Sequence, residues 1–406
     1  MKEKKIKIMN YKFTLSIFLI FLSFVLINPT QAYSDEKLKI THGPYLVEPG
    51  ENAITIIWFT NKECFSWVEY CGDANFGTFP NWGGYPEIAK SSINGLIDAN
   101  SKMHSIRITD LKEGKKYRYR IVSKEILQFD PYEVLYGDTV VGEICEFETL
   151  DPNKKSFSFG VVSDLHENEG VLDTLLQNNP VDSFDMMFFA GDILNWIGSE
   201  ERIFDGFLDV SVKHFAKEKP FIYTRGNHET RGPNARKLYS YFPLSSGKYY
   251  FSFSQGNVRF IVMDSGEDKP DTHPVYAGLV DFDQYRTEQA QWLQKEIQSD
   301  EFNNAQYKIV ISHIPPFTDS KKHGGVDLTN KWGPILNDAN IDIVISGHRH
   351  RFGIIDPREE MNNFPVIVLG KEMILKTDIS EQKLSFLIKD IDGNIVDEFI
   401  IPSGKK

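Results

Sequence analysis

The chain has 406 residues, 41% of them hydrophobic and 25% charged, and a net charge of −12. That composition supports a large buried core and excludes a disordered chain, while the acidic balance argues against a nucleic-acid-binding surface and requires local positive charge, such as bound metal ions, for any phosphate chemistry. The three cysteines, Cys64, Cys71 and Cys145, all lie in the N-terminal third, which excludes a zinc ribbon and permits at most one disulfide.

In chain order, Lys2, Lys4, Lys5, Lys7 and Lys12 precede an apolar run from Phe13 to Ile27 and then Asn28-Pro29-Thr30-Gln31-Ala32. Charged, apolar and small-residue zones in that order read as a secretory signal over residues 1–32, with cleavage after Ala32. The run is shorter than the roughly 20 residues that span a bilayer as a helix, and no other stretch is apolar enough, so a secreted or extracytoplasmic protein without a stable membrane span is expected. The segment carries five lysines and one glutamate, so its removal takes the net charge from −12 to −16.

Residues 38–150 form the next region, with short alternating segments at Ala53 to Thr60, Ser66 to Cys71, His104 to Leu111, Lys116 to Ser123 and Gly142 to Thr149. Ile106, Ile108, Tyr117, Tyr119 and Ile121 keep the period of two that one buried sheet face requires, which predicts an all-β antiparallel sandwich. Over 154–402 the texture changes to apolar runs alternating with helical stretches such as Thr287 to Gln298, the pattern of an α/β domain. The runs are Phe157 to Val162, Met186 to Ala190, Phe221 to Tyr223, Val258 to Met263, Ile309 to Ile311 and Ile341 to Ile345. Each is rich in Val, Ile or Phe, as strands buried on both faces must be. The tail from Leu384 to Ile401 reads as a hairpin turning at Asp392-Gly393-Asn394.

Five of those six runs stop at polar residues that bind metals or move protons: Asp164-Leu165-His166, Gly191-Asp192, Gly226-Asn227-His228-Glu229, Ser312-His313 and Gly347-His348-Arg349-His350. Parallel strands present their carboxyl ends along one edge, so residues 184 positions apart converge in one crevice. Half of the ten histidines fall there, which core packing alone does not select. Asp, Asn and His without thiolate suit borderline divalent ions, Mn, Fe, Zn or Co, over copper(I) or calcium.

These five blocks in this order resemble the calcineurin-like metallophosphoesterase superfamily over about residues 156 to 352. Gly43-Pro44-Tyr45-Leu46, Trp58-Phe59-Thr60, His104 to Ile108 and Tyr117-Arg118-Tyr119 resemble the fibronectin type III-like domain that precedes the catalytic domain in purple acid phosphatases. The resemblance implies an α/β domain of two β-sheets flanked by helices and a centre of two divalent ions, Fe, Mn or Zn. Asp164, His166 and His350 would hold the first ion, Asp192 would bridge, and Asn227, His313 and His348 would hold the second. The implied activity is hydrolysis of a phosphate ester, a phosphomonoester foremost, by a bridging hydroxide, with His228 as general acid and Glu229 as a group able to orient it. His323 stands where purple acid phosphatases carry a substrate-facing histidine, whereas Arg225, Tyr276 and Arg349 offer phosphate donors with no pattern to choose among them. A phosphodiesterase acting on nucleotides, phospholipids or cell-wall polymers is the rival enzyme, and a non-catalytic surface binding protein the rival of another class. The chain departs from the purple acid phosphatases at His166, where they carry a non-ligating residue, and at Asn195, where they carry a ligating Tyr.

Overall fold

Two kinds of strand, half-buried and fully buried, divide the architecture. The computed structural model describes residues 36–72, 86–180, 183–318 and 321–404; the signal expected over residues 1–32 lies outside these. Leu38–Lys406 forms one compact unit.

The N-terminal part is all-β. Its strands Ile40–Val47, Ile54–Gly72, Ser101–Ile108, Lys116–Asp130, Glu133–Val141 and Cys145–Glu148 pair antiparallel. The two segments expected at Ala53 to Thr60 and Ser66 to Cys71 are one 19-residue strand. Its polar interval, Asn61 to Glu63, is a register shift rather than a turn: the first half pairs Ile56 with Ile106, the second Val68 with Ile121. Trp58, Ile106, Tyr119 and Phe147 close the core between these partners, and the Trp58 indole N–H, fully buried, donates to Ser123 Oγ at 2.9 Å. Cys64, Cys71 and Cys145 are all free thiols, so no disulfide forms.

Val47 pairs in parallel with Phe221, which continues the N-terminal strands into the sheet that holds Phe157–Val162, Met186–Ala190 and Phe221–Thr224 side by side. A second, six-stranded sheet holds Val258–Met263, Tyr307–Ser312, Ile343–Ser346 and Val366–Val368 in parallel, with antiparallel edge strands Phe251–Gln255 and Gly353–Ile355. Alternation along each strand sends side chains both ways. Phe159, Phe188, Phe260, Ile309 and Ile345 meet between the sheets. Met187, Phe189 and Tyr223 point outward to helical residues such as Leu172 and Phe207, and Val310 and Val344 point outward to Leu328 and Trp332. The result is helix, sheet, sheet, helix, a mixed α/β fold whose parallel strands read as unbroken apolar runs because both faces are covered. The C-terminal hairpin, Lys383–Asp390 with Ile395–Pro402, extends the first sheet through Met373–Ile379, which lies antiparallel to Phe157–Val162. Among the described residues no helix is long and apolar enough to cross a membrane.

Phe260 is fully buried and rings within 5.4 Å include Phe159, Phe188 and Phe253, one from each neighbouring strand of the seam. Phe260→Ala is expected to cost about 3–5 kcal/mol, read as a lower urea midpoint at unchanged slope; a loss under about 0.5 kcal/mol would contradict the packing described.

Candidate metal centre

Each parallel strand delivers its next few residues to the same edge. Asp164 follows Val162 by two positions, Asp192 follows Ala190 by two, Asn227 follows Thr224 by three, His313 follows Ser312 directly, and His348 follows Ser346 by two. The first three come from one sheet and the last two, with His350, from the other. The chain must turn sharply there, and Asp164, His166, Asp192, His348 and His350 all adopt left-handed backbone with φ between 50° and 72°. Non-glycine residues avoid that region at a cost of order 1–3 kcal/mol when held in it, and such outliers concentrate at functional sites. Two glycines make room. A Cβ on Gly226 would lie 2.2 Å from Asp192 N, and one on Gly347 would lie 1.9 Å from Ser163 Oγ.

The side chains converge. Asp164, His166, Asp192 and His350 each present one ligand atom within 4.8 Å of the others, and Asp192, His313 and His348 do the same, so Asp192 belongs to both groups. His166 Nε2 lies 3.0 Å from His350 Nε2, which is 3.4 Å from Asp164 Oδ1. His313 Nε2 lies 3.0 Å from Asp192 Oδ2 yet makes no hydrogen bond. Asn227 Oδ1 and His166 Nδ1 are likewise buried without a hydrogen-bond partner. Buried polar atoms left unpaired are expensive, and these three, in an Asp/Asn/His ligand set, fit borderline divalent cations.

The surrounding groups orient these ligands. His313 Nδ1–H donates to the Ala190 carbonyl at 2.9 Å, which turns Nε2 toward Asp192. Ser163 Oγ donates to Asp164 Oδ2 at 2.7 Å and the His348 amide to the same oxygen at 2.9 Å. His228 N–H donates to Asp192 Oδ1 at 2.9 Å, and its Nδ1–H donates to the Asn195 carbonyl at 2.8 Å, leaving Nε2 3.9 Å from Asp192 Oδ2. Glu229 does not orient His228. Its buried carboxylate accepts amide N–H groups from Gly226, Asp192 and Leu194 at 2.8 to 3.0 Å and clamps the two loops together.

Burial lowers His166 to about 4 and, with His313 nearby, His348 to about 3, so both are neutral with a lone pair available at neutral pH. At His313 burial acts the same way, but the Asp192 carboxylate overrides it and lifts the imidazole to about 10; burial would raise Asp192, and His313 holds it well below the usual carboxylate range. A cation between the two would take over the role of that proton.

His323 begins the helix His323–Asp338 and bonds through Nε2 to Asp283 Oδ1 at 2.7 Å. Its neighbour Lys322, rather than His323, lines the cavity that touches His348. Arg225 is tied to Asp264, with its guanidinium 4.3 Å from the centre of the Tyr249 ring, and Tyr276 donates to Glu267. The sequence reading passed over Ser163, Glu229 as a clamp, the Asn195 and Ala190 carbonyls, and Asp264. Asp264 directly follows the strand Val258–Met263, the one apolar run that had no polar stop assigned.

Gly226→Ala is expected to leave a folded chain, by circular dichroism, that retains less than about half the metal of the unaltered protein on elemental analysis, because the added methyl displaces Asp192; full retention would contradict the close approach. Asn195 turns its amide Nδ2 to the His166 carbonyl at 2.8 Å and offers no phenolate. The iron-loaded protein is therefore expected to lack a tyrosinate charge-transfer band in its visible spectrum, and a purple colour would contradict this.

The chain is similar to known proteins over much of its length. Residues 157–352 match the calcineurin-like phosphoesterase family. Purple acid phosphatase 21 of Arabidopsis thaliana is 25% identical over 272 residues, 64% of this chain and 54% of that protein. Purple acid phosphatase 18 of the same plant is 24% identical over 324 residues, 75% of this chain and 63% of that protein. The chain thus spans between half and two thirds of the length of these relatives. The purple acid phosphatase PPD1 from yellow lupin (Lupinus luteus) seeds shares the fold, with a TM-score of 0.65 at 14% identity over 88% of this chain and 74% of that one. The chain carries a calcineurin-like phosphoesterase domain over residues 157–352 and is related to the purple acid phosphatases.

Proposed function

We propose that this chain is a secreted, metal-dependent hydrolase of phosphate esters, a phosphomonoesterase foremost, with two divalent ions at its centre. The observation that carries the proposal is the sharing of Asp192 between two ligand groups, the arrangement a bridged pair of ions needs. Asp164, His166 and His350 would hold one ion, Asp192 would bridge, and Asn227, His313 and His348 would hold the other. When bound, such a pair supplies Lewis-acid polarisation of the phosphoryl oxygens and acidifies a coordinated water.

The chain's own residues supply the rest. His228 is the general acid of this proposal: its Nδ1–H is committed to the Asn195 carbonyl in either protonation state, so Nε2, facing the centre, is the nitrogen that exchanges a proton. A proton delivered there to the leaving oxygen relieves its developing charge. The completeness of the set, seven ligand candidates and an anchored acid, supports catalysis over a purely binding role. The names of the relatives, phosphatases, support the monoester reading. The charged and apolar zones of residues 1–32 support export, and the N-terminal strands over 38–150 are proposed as a fibronectin type III-like domain ahead of a catalytic domain at 154–402.

His228→Ala is expected to lower kcat on an aryl phosphomonoester by about 10² to 10⁴ while leaving metal content per chain unchanged. Equal loss of both would move His228 into the ligand set. Turnover of aryl phosphodiesters but not monoesters by the unaltered protein would reverse the substrate ranking.

A further inference from the structure

Large apolar side chains left in solvent are ordinarily scattered singly, yet here many of them gather on two β-hairpins at one end of the N-terminal strands. Ser92–Ile93 pairs with Leu96–Ile97 across an Asn94-Gly95 turn with φ of 52° and 87°. Every residue from Ser92 to Ile97 is exposed, Ile93 by 70% and Leu96 by 78%, and none is charged. The second hairpin is the outer part of Lys116–Asp130 with Glu133–Val141. From Leu127 to Glu133 every residue is exposed, so neither face packs on the body of the protein, and Phe129, Tyr132, Leu135 and Tyr136 all meet solvent. Both hairpins border Phe65. Its ring lies 6.4 Å from that of Tyr136, and the ammonium of Lys90, just before the first hairpin, lies 5.3 Å from its centre.

The chain enters the N-terminal strands at this same end. Ile40 pairs with Thr60, the Lys39 amide donates to Asn61 Oδ1 at 2.9 Å, and Cys64 pairs with Ser101 and Glu125. Val47, at the far end of the first strand, is the residue that joins Phe221. In the sequence the apolar run Phe13 to Ile27 precedes Ile40 by twelve residues, about 40 Å of fully extended chain. Along the chain, this is therefore the end that a bilayer engaged with that run meets first.

We infer that this end of the molecule docks on a lipid surface, with Ile93, Leu96, Phe129 and Tyr132 seated at the boundary of headgroups and acyl chains. The aliphatic tip has no charge to desolvate. The Tyr hydroxyls and the ammonium groups of Lys90 and Lys124, the latter 4.4 Å from the centre of the Tyr136 ring, suit the wet headgroup level above it. Asp130 and Glu133 at the second tip, in a chain of net charge −12, offer no attraction to anionic lipid, so the hold is apolar and the lipid zwitterionic. A bilayer takes two separate projecting tips without matching their shape, whereas a protein partner has to cradle both. The hold is made by folded residues after Ala32, so it survives cleavage there.

Vesicle flotation tests this apart from any activity. The chain from Tyr33 onward, which keeps the compact unit Leu38–Lys406 and lacks the apolar run, is mixed with phosphatidylcholine vesicles and spun through a density gradient. Protein should rise with the vesicles at low and high salt alike, because apolar insertion is not screened. Leu96→Ser and Tyr132→Ser, both at exposed positions, should each lower the partition coefficient about tenfold, the effect of returning one large apolar side chain to water, at an unchanged urea midpoint. Absence of flotation, or flotation that both variants leave unchanged, would overturn the inference. So would flotation only with phosphatidylglycerol vesicles and lost at high salt, which would place the contact on charged groups. A dimer in sedimentation that these two variants dissociate would also overturn it, assigning the tips to a second copy of the chain.

Discussion

The site depends on one seam, the dry apolar layer that holds the carboxyl edges of two parallel sheets face to face. Phe159, Phe188 and Phe260 fill that layer with Ile309 and Ile345, and packed sheets settle roughly 10 Å apart. At that spacing side chains from opposite edges meet without either backbone crossing over. His313 from one sheet thereby reaches both the Ala190 carbonyl and the Asp192 carboxylate of the other, and His350 reaches His166 and Asp164. A change in the seam that moved one sheet by 1 Å would be felt at every one of these contacts.

The edges themselves are strained, and the strain is balanced locally. Five of the seven ligand candidates sit in left-handed backbone. The loops that carry them are tied together by three amides on Glu229, and by the Ser163 hydroxyl and His348 amide on Asp164. Acidic and neutral-imidazole groups crowd together with several lone pairs unmatched. Bound cations would relieve that crowding, because Asn227 Oδ1 is an acceptor without a hydrogen-bond donor and the Asp164 and Asp192 carboxylates lie beside it in the same loops.

The parallel strands and the polar residues at their ends were legible because burial on both faces forces unbroken runs such as Phe157 to Val162 and Met186 to Ala190, and the structure places both strands at those bounds. The C-terminal hairpin was legible for the same local reason, its Asp-Gly-Asn turn. What escaped depends on pairing at a distance. Asn61 to Glu63 looks like a break, yet the strand runs on because it changes partners there. Phe251–Gln255 and Met373–Ile379 are edge and returning strands whose patterns are weaker than their neighbours'. Glu229 looks like a helix-start carboxylate or a partner for His228, and only the fold shows it spanning two loops. Lys322 and His323 are adjacent in sequence, and the entry angle of a helix decides which of them faces the centre.

The most direct measurement is anomalous diffraction from crystals of the purified protein grown with manganese or zinc. The account predicts two peaks, one on each side of Asp192, the first among Asp164, His166 and His350 and the second among Asn227, His313 and His348. Absence of any peak within bonding distance of Asp192, in a protein whose elemental analysis shows bound metal, would contradict it.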